Sequence, residues 1–276
     1  MLINKSSRSL INIIGVPSLL MVIILGDNFY NIPIFSIFVV IVLVLGAIEI
    51  PNLVSTLGAK PIMPLLILCL ILYQLDRFFK MPFNIDLFTY IICITLFSMI
   101  LEIYRNQLKP LLNISVLIFS FIWLGLMLGS LSELRNLPFI GFRITIILFF
   151  SVWICDSAAF YFGKKFGIKK ILPSVSPNKT YVGTFFGFIS SILFLLIINK
   201  FSFFNQYFSN TDMFAIGIIT GGLGQLGDWA ESLLKREAGL KDSGHLLMGH
   251  GGILDRFDSL SFATPLTLMY CKYFLS

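Results

Sequence analysis

Residues 33–51 read PIFSIFVVIVLVLGAIEIP, an apolar run long enough to cross the hydrocarbon core of a bilayer as one helix. Similar runs centre on residues 10–26, 61–76, 86–104, 111–130, 140–162, 180–199, 211–227 and 257–275. Strands of a membrane barrel would alternate in polarity, and these runs do not. We therefore predict an all-α polytopic membrane protein with about nine transmembrane helices, within a range of eight to ten.

Composition supports a membrane protein. Of the 276 residues, 57% are hydrophobic and only 12% are charged, whereas charged residues make up about 25% of an ordinary soluble domain. The four cysteines stand singly within apolar runs. That placement argues against a disulfide framework and against a zinc site.

The distribution of charge predicts the orientation. With nine spans and a cytoplasmic N-terminus, most of the 20 Lys and Arg residues fall in cytoplasmic segments, as the positive-inside rule requires. The net charge of +6 then follows from topology and from attraction to anionic lipids. Because no basic patch carries interleaved aromatic residues, we expect no nucleic acid partner.

The chain changes character near residue 140. Plain apolar spans with short loops precede this point, and Gly-rich segments, acidic residues and charged loops follow it. We predict an N-terminal scaffold of transmembrane helices over residues 1–140. The C-terminal helices, residues 141–276, are then predicted to carry the functional site on their cytoplasmic side.

Asp156 stands within the sixth predicted span. A charge at the centre of a bilayer costs at least about 2.5–3.5 kcal/mol on insertion scales, so such a residue is usually retained for a site or a partner. The alternative is an interfacial aspartate near the cytoplasmic end of the span. We expect the functional role.

The loop after this span is rich in lysines and hydroxyl groups. Lys164, Lys165, Lys169 and Lys170 alone are typical of topology anchors. The segment Ser176–Thr180, which reads SPNKT, adds hydroxyls, an amide and a lysine just before a predicted helix start. Such a combination suits a phosphate group. The loop therefore predicts a polyanion site beside the membrane surface.

Residues 222–227 read GLGQLG and fit the GxGxxG pattern. A dinucleotide site requires that pattern between a strand and a helix, whereas here it ends an apolar span. Together with Thr220 and Gly221, these small residues predict close helix packing in the membrane. Space for a ligand is the alternative.

Charge is densest just after the eighth predicted span. If the helix that ends this span continues through Arg236, then Asp228, Glu231, Ser232 and Lys235 share one face, because they lie at offsets of 3, 4 and 7.

Asp255 and Asp258 lie three residues apart at the start of the ninth span. Two helices that each present carboxylates suit Mg²⁺, which binds one or two carboxylates together with substrate phosphates. A solvated charged hairpin is the alternative, but it would leave Gly251, Gly252 and His250 unexplained. We predict metal-assisted chemistry, with His250 near a phosphate or in a role that positions the loop.

Read in order, these residues form a signature. It spans 27 residues and comprises Ser232, Lys235, Arg236, Lys241, Asp242, Gly244, the run His250-Gly251-Gly252 and the run Leu254–Asp258. This signature resembles that of the bacterial phosphatidate cytidylyltransferases, also called CDP-diacylglycerol synthases. Three upstream pieces resemble the same family in order and spacing, so the resemblance covers roughly residues 150–265. They are Asp156-Ser157 with Gly163-Lys164, Ser176–Thr180 and Gly224–Asp228.

The resemblance implies a magnesium-dependent nucleotidyltransferase that converts CTP and phosphatidate to CDP-diacylglycerol and pyrophosphate in phospholipid biosynthesis. Asp228 and Asp255 would be the metal ligands, with Asp258 and Asp242 as the next candidates. The other catalytic candidates are Lys235, Arg236, Lys241, Arg256 and His250. The substrate-binding candidates are Asp156, Lys164, Ser176, Lys179, Thr180, Ser232, Gly251 and Gly252.

The family further implies CTP, phosphatidate and membrane lipids as partners. It implies a bacterial inner membrane as the location, with the active site facing the cytoplasm. The sequence leaves open a second cation such as K⁺, the acyl-chain preference, the choice between CTP and dCTP, and whether a homodimer forms.

Two residues depart from the family pattern. Met248 stands where Pro or Gly is usual, and Val182 stands where Glu or Gln is usual. A CTP-dependent lipid-alcohol kinase and a CDP-archaeol-type synthase are the alternative enzymes. An ion or solute transporter is the alternative of another class, but it would place its polar residues near the bilayer midplane in two related halves.

Overall fold

Helices make up nearly all the regular structure of the protein. The computed structural model describes residues 5–27, 32–79, 85–244 and 251–275. It divides the chain into two units, one of Met1–Glu133 with Glu237–Asp255 and one of Leu134–Arg236 with Arg256–Ser276. The division lies close to the predicted change near residue 140. The segment 237–255, however, packs with the first unit, although the predicted C-terminal part includes it.

The first unit is a set of apolar helices. They are α1 (Lys5–Leu25), α2 (Ile34–Leu53), α3 (Met63–Phe79), α4 (Leu87–Arg105), α5 (Pro110–Ser120) and α6 (Ser130–Arg135). A π-helical segment, Phe121–Leu128, continues α5 toward α6.

Local chemistry sets the bounds of α4. The side chain of Asp86 accepts a hydrogen bond from Thr89 N at 3.2 Å and caps the helix start. Asn106 adopts a left-handed backbone, with φ of 45°, and ends the helix. Between these caps, apolar side chains such as Phe88 and Ile103 face outward. Such an outward apolar face suits lipid as the surroundings.

The second unit contains longer helices and one hairpin. Its helices are α7 (Gly141–Phe166), α8 (Tyr181–Ile198), α9 (Ser202–Asn205), α10 (Asn210–Ile218), α11 (Gly224–Glu237) and α12 (Leu254–Phe274). A π-helical segment, Ile219–Leu223, joins α10 to α11. Strands β1 (Lys170–Leu172) and β2 (Ser176–Thr180) pair antiparallel between α7 and α8.

Each predicted span lies on a helix or a continuous helical run, which confirms the all-α class. Five helical segments of the described chain are long and apolar enough to cross a membrane by themselves. They are Ile34–Leu53, Leu87–Arg105, Pro110–Arg135, Gly141–Phe166 and Tyr181–Ile198. The protein is therefore an integral membrane protein, and the count of nine spans stays a prediction.

Three hydroxyl groups form a closed network in the core of the second unit. Ser151 Oγ lies 2.7 Å from both Ser191 Oγ and Thr220 Oγ1, and the last two lie 2.8 Å apart. All three side chains are buried. Because each hydroxyl is both donor and acceptor, the triad satisfies itself away from water and joins α7, α8 and the π-helical segment.

Gly221 brings the same π-helical segment close to α8. A Cβ atom here would lie 2.8 Å from the Cβ of Ser191 and 3.0 Å from the backbone oxygen of Phe188. Real Cβ atoms do not approach that closely, so only glycine fits without a shift of the helices. The close packing predicted from the small residues of this stretch is confirmed here.

We expect Gly221→Ala to destabilise the protein by about 1–3 kcal/mol, because the added methyl group overpacks the contact with α8. The matched control is Gly224→Ala, whose Cβ atom would meet nothing closer than 3.6 Å. Replacing glycine in a helix otherwise stabilises by up to about 1 kcal/mol. Thermal unfolding in detergent measures both variants, and equal unfolding temperatures would contradict the close-packing argument.

Candidate functional site

A cavity of about 630 Å³ opens in the second unit. This volume is within the ordinary range of pockets for small molecules. Its walls come from α7, the β-hairpin, α8 and α11, and they comprise Asp156, Ala159, Phe160, Gly163, Lys164, Gly167, Lys170, Ser176, Asn178, Lys179, Thr180, Gly183, Thr184, Gln225 and Asp228. Six sequence-predicted site residues are in this lining, namely Asp156, Lys164, Ser176, Lys179, Thr180 and Asp228.

Thr180 connects the hairpin to α8. Its Oγ1 accepts a hydrogen bond from Gly183 N at 3.1 Å, which caps the start of α8, and its side chain is buried. On the hairpin side, Thr180 pairs with Lys170 across the strands. One residue therefore sets where β2 ends and where α8 begins, and this holds the hairpin at the cavity wall.

Lys179 and Asp228 form an ion pair at the cavity wall. Lys179 Nζ donates to Asp228 Oδ2, and both side chains keep about a quarter of their surface exposed. Lys179 Nζ also lies 5.5 Å from the centroid of the Trp229 ring. The cavity therefore presents a cation and an anion together.

Asp156, which belongs to α7, is exposed and lines the cavity. Its carboxylate lies near enough to that of Asp228 for the two negative charges to interact, and Lys179 acts on it with the opposite sign. Asp258, near the start of α12, also interacts electrostatically with the carboxylates of Asp228 and Glu231. Three carboxylates from three helices thus share one region of the second unit.

The predicted polar face of α11 is confirmed. The helix runs through Glu237, so that Ser232 Oγ donates to Asp228 Oδ1 at 3.3 Å one turn away. Lys235 Nζ lies 3.2 Å from Glu231 Oε1 in a buried ion pair. Removal of one partner would leave the other charge buried, which is costly, so this pair holds its geometry firmly.

Two predicted arginines lie at the surface. Arg236 donates from Nε to the backbone oxygen of Val175 at 3.0 Å and so links α11 to the turn of the hairpin. Arg256 is exposed in the first turn of α12. Val182, where the family usually has a polar residue, is half-buried in the first turn of α8 and offers no polar contact.

Of the other signature residues, Lys241, Asp242, Gly251, Gly252 and Asp255 belong to the first unit. Asp255 Oδ2 accepts hydrogen bonds from Gly252 N at 2.7 Å and from Ser243 N at 3.0 Å. Gly251 has φ of 81°, a value that suits glycine. Lys241 and Asp242 are exposed in the loop after α11. His250, His245 and Met248 lie outside the described residues.

Sequence reasoning missed Glu49, which lies in α2 with 1% of its surface exposed. Its carboxylate accepts hydrogen bonds from Ile253 N at 2.8 Å and from Leu254 N at 3.1 Å. The signal that could have found it is the one used for Asp156, an acidic residue within an apolar span.

The model of the family described as "Cytidylyltransferase family" matches residues 6–274. The chain belongs to the cytidylyltransferase family. This membership confirms the resemblance seen in the signature, and it sets aside the transporter alternative.

Similar proteins carry the name phosphatidate cytidylyltransferase. One from Staphylococcus epidermidis is 44% identical over 126 residues, which cover 46% of this chain and 48% of that protein. One from Haemophilus influenzae is 36% identical over 164 residues, or 58% of this chain and 56% of that protein. One from Staphylococcus aureus is 43% identical over 126 residues, with the same coverage as the first. The chain spans about half the length of the curated relatives it matches.

We expect Thr180→Ala to lower the stability of this family member by about 1 kcal/mol, since the cap of α8 is lost. Thr180→Ser keeps the hydroxyl acceptor and serves as the matched control, with a smaller loss. Thermal unfolding in detergent checks both variants. A loss in Thr180→Ser as large as that in Thr180→Ala would show that the methyl group, rather than the cap, stabilises the start of α8.

Proposed function

We propose that the protein is a phosphatidate cytidylyltransferase, which joins CTP and phosphatidate to form CDP-diacylglycerol and pyrophosphate. The observation that carries this proposal is the cavity in which Lys164, Lys170 and Lys179 face Asp156 and Asp228. Cations for phosphate groups and carboxylates for a metal are both needed where two polyanions meet. Family membership and the names of the similar proteins support the same reaction.

The chemistry requires positioning more than a strong base. An oxygen of the phosphatidate phosphate forms a bond to the α-phosphorus of CTP. The bond from that phosphorus to the oxygen bridging it to the β-phosphorus breaks, and its electron pair leaves with pyrophosphate. A phosphate monoester has a second pKa of about 6, so the attacking oxygen is already largely ionised at neutral pH. The protein must hold both phosphates in line and offset their repulsion.

Basic and hydroxyl groups of the second unit supply this positioning. Lys164 and Lys170 are exposed at the cavity and can contact phosphate oxygens directly. Ser176 and Lys179 add a hydroxyl and an ammonium group from β2. The proposed roles of Lys235, Arg236, Lys241, Arg256 and His250 in phosphate contacts rest on the resemblance alone.

The carboxylates fit magnesium by their chemistry. Within residues 5–27, 32–79, 85–244 and 251–275, no three His, Cys, Asp or Glu side chains form a ready metal cage. Magnesium does not need one, because it binds through one or two carboxylates plus substrate phosphates. We propose Asp228 and Asp255 as its ligands, with Asp258 and Asp242 as the next choices. When bound, the ion would neutralise charge on the phosphates.

The proposed location rests on the family, and the proposed orientation rests on the charge distribution. We infer that the protein lies in a bacterial inner membrane, with the cavity facing the cytoplasm, where CTP is present. The lysines that follow α7 support this orientation, since basic loops stay on the cytoplasmic side. Phosphatidate would enter from the membrane, because both of its acyl chains remain in lipid.

Purified protein supplied with phosphatidate and CTP labelled in the cytosine should form labelled CDP-diacylglycerol. We expect Asp228→Asn to lower kcat by about 100-fold or more, since a proposed carboxylate ligand of the magnesium ion is lost. The charge-matched control is Asp86→Asn, at the exposed cap of α4, where asparagine also caps well.

Product analysis separates the alternatives. In a parallel assay with CTP labelled at the γ-phosphate, transfer of that label to lipid, without lipid labelling from cytosine-labelled CTP, would support a lipid kinase and contradict the proposal. Turnover with ether-linked lipid alone would support the archaeol-type synthase. Equal rates for Asp228→Asn and Asp86→Asn would contradict the role of Asp228.

Two lysine pairs test the nucleotide site. The double variant Lys164→Gln with Lys170→Gln should raise KM for CTP by about tenfold, because both lysines are exposed and each exposed charge pair contributes up to about 1 kcal/mol. The control, Lys165→Gln with Lys169→Gln, removes the same charge from the same loop but not from the cavity lining. An equal rise in KM for both pairs would mean that the loop acts only through its overall charge.

A further inference from the structure

Glu49 makes its contacts far along the chain, within the first unit. Its Oε1 accepts from Ile253 N at 2.8 Å, and its Oε2 accepts from Leu254 N at 3.1 Å. The hydroxyl of Ser243 lies 2.8 Å from Oε2 as well. All three partners donate hydrogen bonds to Glu49. They lie within the signature segment, residues 232–258, and Ile253 directly precedes α12.

These contacts satisfy the start of α12. The first backbone N–H groups of any helix have no partner within the helix, and Ile253 and Leu254 are buried away from water. Glu49 supplies acceptors for two N–H groups at this position, and its negative charge suits the positive end of the helix dipole. The side chain of Glu49, on α2, therefore caps the start of α12. In most helices a residue next to the helix start has this role.

Asp255 is held by the same network. The Ser243 hydroxyl lies 3.1 Å from Asp255 Oδ2 and 2.8 Å from Glu49 Oε2, so its single proton lies between two carboxylates. Asn52, one turn after Glu49 on α2, donates from Nδ2 to the backbone oxygen of Ser243 at 3.3 Å. The loop residue that orients Asp255 is thus itself anchored to α2.

The backbone at Gly252 packs tightly against Ser243 and Glu49. A Cβ atom at this position would lie 2.1 Å from Ser243 Oγ and 2.3 Å from Glu49 Oε2. The backbone of the signature segment therefore lies directly against the Glu49 carboxylate. Neither partner can move far without breaking the hydrogen bonds of the other.

We propose that Glu49 is a positioning residue for the transfer reaction, which holds the start of α12 and thereby the orientation of Asp255. This inference rests on the proposed function. Glu49 does not contact substrate itself, since its described partners are backbone N–H groups and the hydroxyl of Ser243. Its effect on the reaction passes through the signature segment.

The test compares Glu49→Gln with Glu102→Gln. In either orientation, the side-chain amide that Glu49→Gln introduces would set its NH₂ group against a backbone N–H, so one hydrogen bond becomes a clash of donors. Glu102 is also a buried carboxylate of the first unit, but it pairs with Arg105 and Asn113 instead of the signature segment. The control therefore removes a similar charge from a similar environment.

Two readouts are measured on both variants. We expect Glu49→Gln to lower kcat by roughly 10- to 100-fold, as misplacement of a reacting group does, with KM for CTP within about twofold of the wild type. Amide hydrogen exchange at one of Ile253 and Leu254 should accelerate about tenfold or more in this variant, because one of the two N–H groups loses its acceptor. Glu102→Gln should change neither kcat nor exchange at these amides.

The outcomes decide the proposal. Wild-type kcat in Glu49→Gln, or unchanged exchange at Ile253 and Leu254, overturns it. Glu49→Asp should recover part of kcat, since it restores the carboxylate at a shorter reach. If Glu49→Gln does not fold, Ser243→Ala takes its place, because it removes the hydroxyl between the two carboxylates, and wild-type kcat in that variant overturns the proposal.

The two proposals fail in different ways. A wild-type protein that forms no CDP-diacylglycerol contradicts the proposed function. Exchange at Ile253 and Leu254 does not depend on turnover, and it still shows whether Glu49 anchors the start of α12.

Discussion

Hydrocarbon cannot hydrogen-bond a peptide group, so a segment that crosses a bilayer must satisfy its own backbone, and the helices of this protein follow from that constraint. The same cost applies to polar side chains within the spans. Ser151, Ser191 and Thr220 meet it by bonding to one another. The Glu49 carboxylate offsets this cost by accepting hydrogen bonds from the N–H groups of Ile253 and Leu254. Each of these two sets of polar groups also joins separate elements of its unit.

In the second unit, charged side chains line the cavity in which the proposed substrates would bind. The cavity of the second unit pairs Lys179 with Asp228, and Asp156 lines the same cavity. Charges of both signs suit a reaction between two phosphates, because repulsion between anions must be offset while each is held in place. The buried pair of Glu231 and Lys235 adds rigidity one turn further along α11.

Sequence reasoning succeeded where the relevant spacing is local. The offsets of 3, 4 and 7 residues predicted one polar face on α11, and the bonds from Ser232 to Asp228 and from Lys235 to Glu231 lie on it. The hydroxyl-rich segment before α8 lines the cavity, and its role as a polyanion site stays a prediction. Glu49 was missed because its partner at position 253 is 204 residues away, and helical periodicity says nothing about so distant a contact.

By itself, the sequence determined the all-α membrane class, the polar face of α11 and the family, because hydrophobic length, helical period and a 27-residue signature are all local properties. Only the tertiary structure decided which polar groups meet. It placed α7, the hairpin, α8 and α11 around one cavity. It also assigned the segment 237–255 to the first unit, where Ser243 and Asp255 share the network of Glu49. The physical reason is that a buried donor or acceptor must find a partner in space, and the packing of helices determines which residue that is.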